Sequence, residues 1–305
     1  MKLLQLFKRN KFKSKKLEER IFPFLLLFPA LILIIGIVAY PIVRALWLSF
    51  HSFNPLKPLI FTYIGFDNYF KILKDSVFFT ALKNSIIWVL GVVFFQFTGG
   101  LIGALILKQN FKGRSFVRGL SLIPWVTPSI LIAIMWIWML DGNYGLINDL
   151  LLKLGVIPRY TPWLAQSKTS LASVMVADIW RGIPFFAVML LAAMEAIPEE
   201  LYEAARIDGA SSIKLFLHIT WPLITPTIII TTMLRIIWTA NHMDLILIMT
   251  DGGPGFSSLI IPLMSYHTAY KQLNFGYGAT IAILQGIFLI FVISLYTRLL
   301  KKGGS

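Results

Sequence analysis

The sequence predicts an all-α integral membrane protein with six transmembrane helices, and three observations carry that expectation. Of 305 residues, 57% are apolar and only 14% charged, against roughly a quarter charged in an ordinary soluble domain. The mean hydropathy is +0.76. The apolar residues also run in long blocks rather than amphipathic stripes, and about 20 mostly apolar residues suffice to cross a hydrocarbon core.

Taken in order, the chain opens on a basic tail, residues 1–20, holding Lys2, Lys8, Arg9, Lys11, Lys13, Lys15, Lys16 and Arg20. The first span, Ile21–Val43, is too long for a signal-peptide core and lacks a small-residue cleavage site, so it reads as a retained anchor. The second, Leu82–Leu107, carries Gly99, Gly100 and Gly103, the small residues that let membrane helices approach closely. The third, Val117–Leu140, contains Pro124 and Pro128, and the fourth, Leu171–Met194, contains Pro184. Proline is tolerated in membrane helices and marks kinks more often than breaks. A polar loop of about 195–222 leads to the fifth span, Leu223–Met249, and the sixth is Ala279–Leu300. Residues 21–302 thus form one six-helix domain.

Charge sets the expected orientation. With the N-terminus inside, seventeen Lys and Arg residues lie on the inner side and eight on the outer, with Lys83, Arg181 and Arg235 inside spans. Basic enrichment marks the cytoplasmic side, so both termini are expected there. The formal net charge of +14 is accounted for by that tail and the short loops facing anionic lipid, so no nucleic-acid partner is implied. Cysteine is absent, which excludes thiolate chemistry and disulfides. No Gly-x-x-x-x-Gly-Lys-Ser/Thr loop exists to cradle ATP. The four histidines (His51, His218, His242, His267) lack metal-ligand spacing, so no metal, cofactor or catalytic residue is expected on this chain.

The inner loop is rich in acids: Glu195, Glu199, Glu200, Glu203 and Asp208. Pro198 suits a helix start, with Glu199 and Glu200 at its positive end. Gly209 can stop that helix, and Ser211 or Ser212 can cap a second one running toward Ile219. Two short helices with a sharp bend form a peg able to dock in a cleft of another protein. Glu203-Ala204-Ala205, Gly209, Ile219 and Pro222 resemble the EAA motif of permease subunits of binding-protein-dependent ABC importers, with Trp221 where leucine is usual. Trp180-x-Gly182-x-Pro184-Phe185 and Thr250-x-Gly252-Gly253-Pro254 are similar to the carbohydrate permeases of the maltose and glycerol-phosphate type. The resemblance implies a cytoplasmic coupling loop between the fourth and fifth spans, with Glu203, Ala204, Ala205, Asp208 and Gly209 docking on an ATPase. It further implies two ATPase subunits that hold ATP and Mg, a second homologous permease completing a heterodimer, an extracytoplasmic solute-binding protein, and a place in a prokaryotic inner membrane.

Ionisable residues inside spans usually face a partner or a watery cavity. Asp178, Arg181, Gly182 and Phe185 share one helix face by their spacing, as do Arg235, Trp238, Thr239 and His242. Arginine and histidine offer directional donors to sugar hydroxyls or carboxylates, and Phe185 and Trp238 offer apolar surface to a ring. The expected substrate-binding set is therefore Arg181, Gly182, Phe185, Arg235, Trp238, Thr239 and His242, with a structural Asp178–Arg181 pair as the bland alternative. Asn241 and Asp244 lie on another face and are expected to meet the partner subunit. Two intramembrane arginines lean toward an acidic or phosphorylated sugar. The competing reading is an ion-coupled secondary transporter using Asp178 and His242, which the EAA-like loop argues against. A membrane-embedded enzyme finds no nucleophile–base constellation.

Overall fold

A computed structural model describes residues 26–59 and 61–303, with side chains through Arg298. The basic tail, the start of the expected first span at Ile21 and the chain's last two residues lie outside that range. Among the described residues five helices are long and apolar enough to cross a membrane, and one bent pair brings the number to six when it is counted as a single broken span. Helix α1 spans Leu26–Ser49. A small antiparallel hairpin follows, β1 His51–Phe53 with β2 Phe61–Tyr63, so the architecture is helical but for this one ribbon among the described residues. Then come α2 Asp67–Ile72 and the long α3 Ser76–Lys108. Asp75 caps α3 by accepting from the Val77 and Phe78 amides, the usual service of an aspartate at that position.

The third span departs from the continuous helix expected over Val117–Leu140. Helix α4, Arg114–Val126, and helix α5, Ser129–Met139, meet at 93°. Thr127 and Pro128 are extended, with ψ 132° and 139°. A proline ring disfavours helical backbone in the residue before it and brings no N–H of its own. Pro128 therefore breaks this span, whereas Pro184 sits inside an unbroken helix α7, Ser170–Glu195. Helix α6, Leu146–Lys153, lies between the two.

Helices α3 and α7 are the central pair. Gly91 lies under Met175, Gly99 under Ile183 and Gly103 under Ala187, while a side chain at Gly100 would collide with Phe186. This run of missing side chains lets two backbones close up where lipid offers no hydrophobic drive. Trp88, Phe186, Leu190 and Met194 fill the space around them.

The loop after α7 forms helix α8, Glu199–Ile207, with Pro198 at its N-cap. The second short helix expected toward Ile219 does not stand alone. Ser212 instead begins α9, Ser212–Met249, which continues through a π turn at Phe216–Thr220 into the membrane. Pro222 follows that turn after Trp221; widening the turn absorbs a ring and a missing donor that would clash in a regular helix. The same order, a π turn at Ile34–Ala39 and then Pro41, recurs in α1. Helix α9 leaves helical geometry at His242, where ψ is 103°, and resumes over Asp244–Met249.

The Thr250–Pro254 stretch is a loop in which Asp251 and Gly252 have φ of +50° and +84°. Asp251 accepts from His267 and Lys271, tying the loop to the π turn His267–Lys271 that continues α10, Ile261–Tyr266. Partial burial raises this carboxyl's pKa, but the two bonds outweigh it and leave Asp251 below the ordinary carboxylate range. The last helix, α11, spans Phe275–Gly303. It holds the end of α1, where Thr280 and Asn68 both donate to the Ser49 carbonyl.

Candidate functional site

Two sites emerge, one within the membrane and one at the end bearing α8. In the first, α7 and α9 face each other with their charged residues inward. Asp178 is 1% exposed, and its Oδ1 lies 3.4 Å from Arg181 Nη1 and 3.6 Å from His242 Nδ1. Arg181 Nη1 also reaches His242 Nε2 at 2.8 Å. Ser129, the first residue of α5, approaches the same imidazole nitrogen at 3.3 Å. The broken third span thus delivers a hydroxyl to the cluster, as discontinuous helices do where a membrane protein binds polar cargo.

Arg235 is also buried, 7% exposed. Its Nε donates to Gln96 Oε1 at 2.9 Å, and the Gln96 amide donates to the Asp178 carbonyl at 2.7 Å. Gly182 makes room for this pair, because a β-carbon there would strike the Gln96 side chain and approach Arg235 Nη2 to 2.6 Å. Phe185 stands beneath the Arg235 guanidinium, 5.8 Å from its ring centre. It also contacts Trp238 at 5.3 Å and Trp125 at 5.9 Å. Both tryptophans are exposed, so three aromatic rings form an apolar wall beside the charged cluster.

Of the seven expected residues, the structure joins Arg181 to His242, and Gly182, Phe185, Arg235 and Trp238 to one another. Thr239 lies apart, 1% exposed, with its carbonyl accepting from Trp88 Nε1 at 3.0 Å and its hydroxyl unpartnered. Asn241 accepts from Gln285 of α11 at 3.2 Å, and Asp244 Oδ2 lies 3.7 Å from His242 Nε2, so within the chain these two already have neighbours. Gln96, Ser129 and Trp125 were missed from sequence. A lone glutamine in a 33-residue apolar helix was the available signal for Gln96, since a polar side chain there needs a partner. Ser129 and Trp125 gave none, because their place depends on the break at Pro128. Among the described residues, no group of three or more His, Asp or Glu is placed to hold a metal ion.

At the other site, α8 ends in a pair of backbone bonds, Gly209 N–H to Arg206 O at 3.0 Å and Ala210 N–H to Ala205 O at 2.9 Å. That is the Schellman arrangement, which needs a left-handed residue after the cap, and Gly209 supplies it with φ +78°. The four-residue step from Ala205 to Gly209 is therefore the length of this helix stop. Glu203, Ala204, Asp208 and Gly209 are exposed and Ala205 half-buried. Ile207 and Ile213 are 87% and 72% exposed on either side of the bend. Beneath them Tyr202 is buried, its hydroxyl 2.9 Å from Thr220 Oγ1 in the π turn. Lys108 at the end of α3 donates to the same hydroxyl at 3.0 Å and lies over the ring at 4.2 Å. Nearby, Arg114 and Arg118 of α4 both pair with Glu195 at the end of α7. No local spacing in the sequence brings these residues together, because they lie on separate helices.

Residues 96–303, more than half the chain, match the family described as the binding-protein-dependent transport system inner membrane component. The trehalose/maltose transport system permease protein MalF of Thermococcus litoralis is 35% identical over 298 residues, 96% of this chain and 98% of that protein. The sulfoquinovosyl glycerol transport system permease protein SmoG of Agrobacterium fabrum is 32% identical, with 93% and 92% covered. In a crystal structure of a bacterial ABC transporter involved in the import of the acidic polysaccharide alginate, one chain superposes with a TM-score of 0.81. It is 20% identical and matched over 96% of this chain and 99% of that one, a likeness of fold.

Proposed function

The chain belongs to the family of binding-protein-dependent transport system inner membrane components, and from that premise we propose that it moves a sugar or oligosaccharide into the cytoplasm. The observation that carries this reading is the meeting of a polar cluster, Asp178–Arg181–His242, with the aromatic wall of Trp125, Phe185 and Trp238. Donors beside apolar rings are what a pyranose with equatorial hydroxyls and an apolar face requires. Arg235 has no carboxylate within ion-pair distance among the described residues, only Gln96. That uncompensated charge favours an acidic or phosphorylated sugar over a neutral one. The names of SmoG and of the alginate transporter are in keeping with it.

In this reading energy comes from ATP hydrolysed on two separate subunits, into whose clefts α8 and the bend at Gly209 dock. The exposed Ile207 and Ile213 supply apolar contact and Glu203 an acidic one. A second, homologous permease encloses the other side of the pathway, an extracytoplasmic binding protein delivers the cargo, and both termini are cytoplasmic.

The test is reconstitution of the complex co-purified with this chain, with uptake measured for uronic-acid and neutral oligosaccharides. Two ATPase copies, a second permease and preferential uptake of the acidic sugar are expected. Trp238→Ala should weaken cargo binding by about 1–3 kcal/mol through lost aromatic contact area, raising the half-saturating concentration roughly five- to 150-fold, with assembly intact. Unchanged uptake kinetics below saturation would make the aromatic wall a packing feature. Transport by this chain without any ATPase would favour an ion-coupled carrier.

Tyr202→Phe tests the link beneath the peg. It removes the hydroxyl shared by Lys108 and Thr220 while keeping the ring, at a cost of about 1 kcal/mol per lost bond. Cargo-stimulated ATP hydrolysis should fall several-fold, with the ATPase still bound and amide exchange faster across 199–207. Unchanged stimulation and exchange would show that the ring alone anchors α8.

A further inference from the structure

We propose that the chain carries a binding site for an anionic phospholipid in the leaflet opposite α8, with an acyl chain in a lateral groove and the headgroup on Lys83. The groove has a volume of about 670 Å³ and lies between α3 and α11, floored by Ile236 and Ala240 of α9. Its walls are apolar apart from Ser85 and Gln285, and Gln285 is already engaged with the Ala240 carbonyl. Its size falls within the roughly 300–1,000 Å³ of ordinary small-molecule sites.

The headgroup assignment rests on the placement of one charge. Phe79, Ile86 and Leu90 line the groove, and Lys83 stands four residues after Phe79 and three before Ile86, on the same strip of α3. It is exposed, and the ion pairs among the described residues do not include it. Helix α3 has 33 residues, about 50 Å of helix against a hydrocarbon core of about 30 Å. If the excess is shared, about 10 Å projects at each end, and Lys83 lies about 10 Å from the helix start. The ammonium group is therefore at the depth of lipid phosphates, where a lysine extends to the interface. Lys74, also exposed, adjoins the groove residue Leu73. The one carboxylate nearby in sequence, Asp75, is occupied in capping α3 and in accepting from Tyr277. Bulk lipid is as apolar as the groove, so an acyl chain gains little by entering it. Selectivity must come from the headgroup, and the basic rim favours phosphatidylglycerol over phosphatidylcholine.

Two measurements on the purified complex test this. Native mass spectrometry after a mixed phosphatidylglycerol–phosphatidylcholine wash should show phosphatidylglycerol retained. Lys83→Gln should lower that preference about fivefold, as expected for one interfacial lysine, and Lys83→Arg should restore it. Independently, Phe288→Trp places a fluorophore in the groove wall, and its added emission should be quenched by phosphatidylglycerol with brominated chains. Equal retention of both lipids by the parent complex would overturn the headgroup assignment. An added emission that brominated lipid leaves unquenched would show a groove closed by protein, and would overturn the site.

Discussion

Gly209→Val is expected to abolish cargo-stimulated ATP hydrolysis by the reconstituted complex and to loosen or detach the ATPase, with the membrane helices still folded. Space is not the cause, since a β-carbon at Gly209 would meet nothing within 4 Å. The cause is the backbone. At φ +78° an L-residue costs about 1–2 kcal/mol, and a β-branched one is a steric outlier. The chain would relax by releasing the Gly209 and Ala210 amides from the Arg206 and Ala205 carbonyls, and α8 would fray toward Glu203. Severity should therefore follow backbone preference rather than size, with Gly209→Asn mild because asparagine tolerates the left-handed region, Gly209→Ala intermediate and Gly209→Val worst. Glu203→Ala should be less damaging than Gly209→Val, because that exposed side chain can act only through a docked partner. Full stimulation and tight ATPase association in Gly209→Val would mean that the bend is not the mechanical link.

Asp178→Ala should be the most destructive change within the membrane. The carboxylate is 1% exposed, faces both Arg181 and His242, and keeps Oδ2 buried without a partner. Removing it leaves Arg181 beside Arg235 with no nearby compensation, and breaking a buried pair costs about 3–5 kcal/mol. Low yield and a lowered thermal midpoint in detergent are expected. The double variant Asp178→Ala/Arg181→Ala separates the two roles of the pair. It should recover most of the stability, because Arg181 is no longer left without its carboxylate, but not transport, because the cargo's donor is gone. Recovery of transport as well would make the pair purely structural, and additive losses of stability would show that the two residues do not compensate one another.

The parts legible in the sequence were those written in local chemistry. Long apolar blocks located the crossings, and the fourth, Leu171–Met194, differs from Ser170–Glu195 by one residue at each end. Gly209 announced a left-handed stop. Helical spacing placed Asp178, Arg181, Gly182 and Phe185 on one face, and the structure turns that face toward α9. What stayed hidden depends on where separate helices come to lie. Pro128 and Pro184 look alike in sequence, yet one breaks its span at 93° and the other does not. The partners of Arg235 and Tyr202, Gln96 and Lys108, belong to a helix far away along the chain, and no periodicity within a single segment could pair them. Thr239 followed the same spacing as Trp238 but is buried in packing, because helix position gives direction and not depth.

The π turn at Phe216–Thr220 also fixes a phase relation between the two ends of the molecule. Relative to an α-helix it accommodates one surplus residue, and each residue advances a regular helix by about 100°. Ser212 and the bend before it are thus set about 100° around the axis of α9 from where an uninterrupted α-helix over the same path would orient them against Arg235 and Trp238. Deleting a single residue between Phe216 and Thr220 would regularise the helix and keep every other side chain. It would also aim the peg along a new bearing while the polar cluster kept its own, so that the two ends, each intact, would no longer point to their partners at the same time.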